Sequence, residues 1–339
     1  EEGDGAGEQH EAGDADGAGQ ELERERHRRS LRRRLSKVGA AVTTFAGTEN
    51  PTPIARRSCE TLLRGSNERG AEAAMAFEEL KQRHATMWGA GPFEVIAPSL
   101  AEMHEAIVAA ADADESDAWL DVGCGTGELA FLAAATGASV RGCDLSPALV
   151  ETAKRQAAER GLEIPFEVGD VESLPFDDGS FDVVSSSVGA IFAPDHARTA
   201  EELARVCASG GRLVLTAWTT EGRIGDFFRV IASYSPPPVE GAGAPTQWGD
   251  AAYCEALLGP NFELEIESLN TPWRAESGQS MWDEFSSSFG PIVTLLRMLE
   301  PERAAAFRDD LVALFDESAE QDGEVVLDRP YLLVKGTRR

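Results

Sequence analysis

The stretch LDVGCGTGE at residues 120–128 decides the fold, because it joins a short apolar strand to a helix through a glycine-rich turn. Glycine lets the backbone approach a ligand without interference from a Cβ atom, and the first turn of the following helix offers free N–H groups to an anion. The turn therefore predicts a nucleotide-type cofactor site. Its candidate binding residues are Gly123, Cys124, Gly125 and Gly127.

The acids that flank this turn separate two kinds of cofactor. The glycines follow the pattern Gly-x-Gly-x-Gly, and Glu128 stands where the dinucleotide fingerprint has glycine or alanine. Asp121 ends the strand before the turn, so two carboxylates would repel a pyrophosphate and attract a cation. S-adenosylmethionine carries an ammonium and a sulfonium, and its carboxylate can use the helix N-terminus. We therefore expect S-adenosylmethionine as the cofactor, with an NAD-linked Rossmann oxidoreductase as the alternative.

Residues at the ends of the following strands agree with this cofactor. Asp144 ends the second strand, where a carboxylate can accept hydrogen bonds from ribose hydroxyls, and Leu145 can pack on the adenine. Asp170 and Val171 follow the third strand and can pair with the adenine ring. Ser187 follows the fourth strand, at the rim where α/β sheets bind ligands. Each acid alone is also typical of a cap or turn, but three at successive strand ends favour a binding site.

Short apolar strands alternate with amphipathic helices on both sides of the turn. Between residues 119 and 217 this alternation predicts parallel strands connected by helices, including a helix over 196–208 closed by Gly210 and Gly211. The predicted fold class is α/β: a doubly wound, Rossmann-like, mostly parallel sheet with helices on both faces. The units are too few for a barrel. After residue 218 we expect helices at 225–233 and 251–258, a strand at 262–268, a helical insertion, and then an antiparallel last strand at 331–335.

Charge and periodicity divide the chain near residue 75. Residues 1–74 contain a Gly/Ala/acid tract and an Arg-rich stretch with few apolar side chains, so we expect a disordered extension there. Residues 75–339 form the predicted folded domain. Its cofactor half is expected at 115–219, and its substrate or lid elements at 75–111 and 220–322.

Four segments carry a family resemblance: LDVGCGTGELA, VRGCDLSPALVETAKRQA, FEVGDVESLPFDDGSFDVVSS and GGRLVLTAWT. In this order and spacing they resemble the successive motifs of the class I S-adenosylmethionine-dependent methyltransferases. The third is similar to the branch, methyltransferase type 11, that includes the ubiquinone and menaquinone biosynthesis C-methyltransferases. The resemblance implies methyl transfer from S-adenosylmethionine to a small-molecule acceptor, at carbon or oxygen, by in-line displacement. A protein that binds the cofactor without turnover is the alternative from outside the enzymes.

A proton acceptor and an acceptor pocket complete the predicted site. His196, at the start of a predicted helix after the fourth strand, is the candidate general base, and a solvent-facing surface residue is the competing interpretation. Trp88, Phe192 and Trp218 are the candidate apolar wall for a planar or lipophilic acceptor, and each is equally typical of a core. No cluster of His and carboxylate residues has metal-ligand spacing, so no metal is expected.

The amino-acid composition limits the classes of binding partner and the cellular compartment that we expect. The 339 residues carry a formal net charge of −28, which disfavours nucleic acid and anionic membrane surfaces as partners and leaves a small molecule. No apolar run is long enough to span a bilayer. The five cysteines lack the spacing of a disulfide framework or a zinc site, so we expect a reducing, cytoplasmic location. The oligomeric state is not predicted.

Overall fold

A computed structural model describes residues 71–319 and 324–339 of the chain, with side chains from residue 75 onward. Residues 1–70, and with them most of the predicted extension, lie outside the described residues. The first described helix, α1, spans Ala71–Trp88 and so begins four residues before the expected domain boundary. Among the described helices, none combines the length and the apolar character needed to cross a membrane.

A mixed seven-stranded sheet forms the centre of the fold. The strands of this sheet are β1 (Ala118–Val122), β2 (Ser139–Asp144), β3 (Phe166–Val168), β4 (Phe181–Ser187), β5 (Cys207–Trp218), β6 (Phe262–Asn270) and β9 (Pro330–Arg338). Strands β1 to β5 are parallel, β9 is antiparallel to both its neighbours, and the order across the sheet is β3-β2-β1-β4-β5-β9-β6. The predicted α/β fold class with an antiparallel last strand is therefore confirmed.

Helices connect these strands, and β1 and β4 are buried along almost their whole length, as a covered parallel sheet requires. The insertion before β9 is helical as predicted, and it also contains a separate two-stranded antiparallel sheet, β7 (Trp273–Ala275) with β8 (Val325–Leu327). The remaining helices are α2 (Ala101–Ala111), α3 (Glu128–Ala134), α4 (Pro147–Glu159), α5 (His196–Val206), α6 (Gly222–Tyr234), α7 (Ala251–Leu258), α8 (Gly278–Ser288), α9 (Gly290–Met298) and α10 (Pro301–Asp316).

The boundary between α5 and β5 differs from the prediction. The sequence predicts a helix as far as residue 208, but α5 ends at Val206 and β5 begins at Cys207. Gly210, with a φ of +76°, and Gly211 instead occupy an irregular part of the strand, where the pairing register with β4 shifts. A glycine with positive φ serves a strand bulge as well as a helix end, so the local sequence does not distinguish the two.

The order of the strands brings the site residues to one edge of the sheet. Parallel strands end at the same edge, and the winding reverses between β1 and β4, which is where doubly wound sheets bind ligands. Asp121 of β1 pairs in register with Ser185 of β4 near that edge. Because β9 is antiparallel, its first residues lie at this edge too, and so does Arg329, which immediately precedes it.

Candidate active site

One cavity follows this edge and is lined by nearly all the predicted cofactor-binding residues. Gly127 is not among the lining residues: it is the N-cap of α3 and lies against the ring of Phe131. The predicted acceptor residues Trp88, Phe192 and Trp218 line the same cavity. The predicted cofactor residues that line it are Asp121, Gly123, Cys124, Gly125, Asp144, Leu145, Asp170, Val171 and Ser187.

The glycine turn between β1 and α3 packs tightly against the loop that follows β4. Gly123 has a φ of +64°, and a Cβ atom there would lie 2.9 Å from the Cα of Gly189. The N–H groups of Gly123 and Cys124 both donate to the carbonyl of Cys143, at 2.8 and 3.1 Å. Val188 has a φ of +45°, which is a strained conformation for a β-branched residue and is typical of functional segments. The two loops therefore hold each other in place beside the cavity.

Asp121 is a buried acid with an unsatisfied oxygen. The residue is 1 % exposed, its Oδ1 accepts a hydrogen bond from the Ser185 hydroxyl at 3.2 Å, and its Oδ2 has no partner among the described residues. Burial raises the pKa of Asp121 well above its ordinary value, and the charges of Asp144 and Glu128 add to the rise. A cationic ligand would supply both the missing donor and the missing charge.

Asp144 organises the turn as well as lining the cavity. Its Oδ2 accepts from the Gly125 N–H at 2.9 Å, and its Oδ1 accepts from the Ser146 N–H at 2.8 Å. Burial raises the pKa of Asp144, although these two hydrogen bonds oppose the rise. Each carboxylate oxygen keeps a second lone pair, so the predicted ribose hydrogen bonds are compatible with this geometry.

Lys81 of α1 is a site residue that the sequence did not indicate. It is 7 % exposed, and its Nζ lies 2.6 Å from Asp170, 3.2 Å from Glu172 and 2.5 Å from Glu78. Burial alone would lower the pKa of Lys81, but its hydrogen bonds to Asp170 and Glu78 and the charge of Glu172 raise it above the ordinary value. Asp170, expected to face the adenine amino group, thus also ties α1 to the end of β3.

Replacement of Lys81 by methionine is expected to lower the free energy of unfolding by about 2 kcal/mol, because Asp170 and Glu172 would lose their cation. Urea denaturation at pH 7 measures this change. Lys154, whose ion pair with Glu151 is exposed, provides the control, and Lys154→Met is expected to cost less than about 0.5 kcal/mol. Equal effects of the two substitutions would contradict a structural role for the buried cluster.

Beyond the turn the cavity wall becomes aromatic. The rings of Trp88 and Phe192 have centroids 4.7 Å apart, and those of Trp88 and Phe289 are 5.6 Å apart. From the insertion, Trp273 and Phe285 join at 4.3 Å. These side chains therefore pack in the core and also form the wall of the cavity. The aromatic lobe consists of Trp88, Phe93, Phe192, Trp218, Phe227, Phe228, Trp273, Phe285 and Phe289.

The histidines are distributed differently from the prediction. His196 is buried and is not among the residues that line the cavity: its Nδ1 lies 2.7 Å from the Tyr253 hydroxyl, and its ring packs on Trp248. His84 and His104 do line the cavity. His104 projects from the buried face of α2, where Met103 precedes it and Ile107 follows three residues later. A histidine within such an apolar stripe is the signal that could have indicated it.

The hydrogen-bond acceptors and the open space of this site fit S-adenosylmethionine. The buried Oδ2 of Asp121 is an acceptor that an ammonium group would satisfy. A Cβ atom on Gly125 would meet only the Phe93 ring, at 3.8 Å, so the turn leaves room for a ligand in front of it. Asp144 and Asp170 supply acceptors farther along the same edge, where hydroxyl and amino groups can donate to them.

Comparisons with known proteins agree with this interpretation. The family described as a methyltransferase domain matches residues 120–215. The uncharacterized protein Rv1405c of Mycobacterium tuberculosis is 31% identical over 265 residues, which is 77% of this chain and 96% of that protein. The demethylmenaquinone methyltransferase of Thermus thermophilus is 41% identical over 115 residues, 33% of this chain and 52% of that enzyme.

A solved structure shows the same fold. The crystal structure of a putative methyltransferase from Bacillus halodurans superposes with a TM-score of 0.50 at 20% sequence identity, over 69% of this chain and 97% of that one. The family match supersedes the NAD-linked oxidoreductase that the glycine turn alone left open. From its ordered motifs, its sheet and its relatives, the chain belongs to the S-adenosylmethionine-dependent methyltransferases.

Proposed function

We propose that the protein transfers the methyl group of S-adenosylmethionine to a carbon or oxygen atom of a small, largely apolar acceptor that binds in the aromatic lobe. The observation that carries this proposal is the continuity of the cavity. The glycine turn and its acids line one part, and the aromatic side chains line the rest. An apolar wall beside the cofactor residues supports a flat or lipophilic acceptor rather than a macromolecule.

When bound, the cofactor supplies a methyl group already activated on a sulfonium. The protein's own task is therefore to position the cofactor and the acceptor and to shield them from water. Asp121, Asp144 and the glycine turn hold the cofactor by charge and hydrogen bonds. The aromatic lobe excludes water and aligns the acceptor. An acceptor with an acidic O–H or C–H group also needs somewhere to send its proton.

We propose His104 as that proton acceptor. It lines the cavity, and burial lowers its pKa to about 4, so the imidazole is unprotonated at pH 7 and has a ring nitrogen free of a proton. The same shift makes it a weaker base than a free imidazole, so its position in the cavity carries the assignment. His84 lines the cavity as well; burial and the charge of Arg83 lower its pKa, and the backbone of Phe192 opposes the shift. His196 keeps its place as the sequence-based alternative, and its contact with Tyr253 argues for a structural role.

The His104→Gln substitution is expected to lower kcat about 100-fold with little change in the affinity for S-adenosylhomocysteine, because the cofactor residues are untouched. His196→Gln is the matched comparison. Steady-state methyl transfer and isothermal titration measure the two quantities. A loss of kcat in His196→Gln and none in His104→Gln would reverse the assignment.

Release of labelled methyl from the cofactor, followed across a library of phenols, quinols and enolisable ketones, tests the proposed activity itself. Transfer to apolar members of the library is the expected result, with products distinguished as ethers or C-methylated compounds by mass spectrometry. Tight binding of S-adenosylhomocysteine without transfer to any compound would favour the non-catalytic binding protein instead.

A further inference from the structure

A buried arginine lies at the β9 end of the aromatic lobe. Arg329 is 3 % exposed, lines the cavity, and immediately precedes β9. In the sheet β9 is three strands from β1, a distance of about 14 Å. Its guanidinium therefore lies on the acceptor side of the sheet edge and not at the glycine turn.

Neutral oxygens hold this guanidinium in place. Nε donates to the Thr271 carbonyl at 2.9 Å, Nη1 to the Ser99 hydroxyl at 3.1 Å, and Nη2 to the Ser99 carbonyl at 2.5 Å. These bonds use three of the five N–H groups of a guanidinium. Among the residues that the structure describes, no carboxylate forms an ion pair with Arg329. Its orientation is thus fixed, while its charge has no ion-pair partner among these residues.

Two tryptophans flank the same charge. The guanidinium carbon of Arg329 lies 5.5 Å from the ring centroid of Trp218 and 5.0 Å from that of Trp273. Burial lowers the pKa of Arg329 to about 10, with the charge of Glu102 opposing the shift, so the side chain remains charged at pH 7. The aromatic lobe therefore has a permanent positive charge in its wall.

This charge is unusual for its surroundings. Among the described residues that line the cavity, the other ammonium or guanidinium group is that of Lys81, which is already paired with Asp170 and Glu172. The chain as a whole carries a net charge of −28 and repels anions at long range. Linking Ser99 to Thr271 requires hydrogen-bond donors but no charge, and burying an unpaired charge is costly. The hydrogen bonds alone do not explain why a charged side chain is buried here, whereas an anionic ligand does.

We propose that Arg329 binds an anionic group on the acceptor, so that the substrates are flat, apolar ring systems that carry one anionic group, such as aryl carboxylates. The inference rests on the proposed function for the identity of the lobe as the acceptor site. The two remaining N–H groups can form charge-assisted hydrogen bonds with a carboxylate, while Trp218 and Trp273 contact the adjoining ring. Anchoring the anion at β9 would leave the rest of the acceptor to extend towards the cofactor residues.

Two fluorescent probes with the same aromatic skeleton test this proposal in the full chain saturated with S-adenosylhomocysteine. The probes are 1-anilinonaphthalene-8-sulfonate, which is anionic, and N-phenyl-1-naphthylamine, which lacks the sulfonate. The Arg329→Met substitution is expected to weaken binding of the anionic probe about tenfold or more and that of the neutral probe less than about threefold. Arg329→Lys is expected to retain most of the preference for the anion. Arg274→Met, at an exposed ion pair with Glu324, is the control and should change neither.

Equal losses for both probes, or no loss for either, would overturn the proposal, as would a parallel loss of S-adenosylhomocysteine affinity, which would assign Arg329 to the cofactor. If Arg329→Met fails to fold, a competition experiment on the wild-type protein still tests the proposal. There, 2-naphthoate should displace the neutral probe at a concentration about tenfold lower than 2-naphthamide does, and equal potency would refute anion recognition. Binding that follows this pattern without any methyl transfer would refute the proposed function and still support the anion site.

Discussion

Replacement of Asp121 by asparagine is expected to weaken S-adenosylhomocysteine binding about 1000-fold while leaving the ligand-free protein at least as stable as the wild type. The loss of affinity follows because a buried carboxylate that faces a ligand ammonium is replaced by a neutral group. The stability is kept because burial raises the pKa of Asp121, so that the ionised carboxylate disfavours the folded state at pH 7. A residue that served only to build the turn would show the opposite pattern of effects.

Isothermal titration gives the affinity, and urea denaturation of the ligand-free protein gives the free energy of unfolding. A raised folded-state pKa stabilises the fold below the unfolded pKa and loses that contribution as the pH rises through the folded pKa. Any stability advantage of Asp121→Asn at pH 7 should therefore shrink as the pH falls towards 5. Asp182→Asn, at the opposite end of β4, is the control and should leave the affinity unchanged. Undiminished affinity in Asp121→Asn would contradict the assigned role.

The Gly123→Ala substitution is expected to lower the free energy of unfolding by about 4 kcal/mol and to weaken cofactor binding about 100-fold. A left-handed φ costs an L-residue about 1–2 kcal/mol, and the added methyl group would be forced against the Gly189 backbone at 2.9 Å. Relief of that contact requires the loop after β4 to move, and this loop lines the cavity. We therefore expect the free energy of unfolding and the cofactor affinity to fall together.

Gly161→Ala provides a matched control for the backbone strain. Gly161 has a φ of +63°, nearly the same as Gly123, but a Cβ atom there would meet nothing within 4 Å. Gly161→Ala is expected to cost about 1 kcal/mol of stability with no change in cofactor affinity. Urea denaturation and titration with S-adenosylhomocysteine of both variants separate the two contributions. If both alanines cost the same, the close approach of the two loops is not what constrains Gly123.

The residues on the glycine-turn side of the cavity were predictable because they lie at positions with a regular sequence signature. Asp121, Asp144 and Asp170 each follow or end a short apolar strand, and parallel strands end at a common edge. Strand alternation is a local property, so reading it along the chain was enough to place these residues together.

Trp88, Phe192 and Trp218 were predicted as wall residues of the cavity and do line it. The two cations of the wall, Lys81 and Arg329, were not predictable, because their contacts join distant parts of the chain. Lys81 meets Asp170 across 89 residues, and Arg329 meets Ser99 across 230. Neither cation stands in a motif, and nothing near it in the sequence indicates its partner. The aromatics of the insertion had a further ambiguity, since Phe285 packs in the core and lines the cavity at once. Periodicity identifies an apolar side chain but not the ligand or residue that it faces.

The position of β9 in the sheet has a consequence for the order of folding during synthesis. β6 is an edge strand whose partner in the described sheet is β9, and the whole helical insertion separates the two strands in the sequence. β6 therefore has to wait for β9 to leave the ribosome, whereas β1 to β5 can pair as they emerge. A nascent chain would accordingly assemble its cofactor turn first and acquire Arg329, together with the wall beside it, only after the insertion has been made.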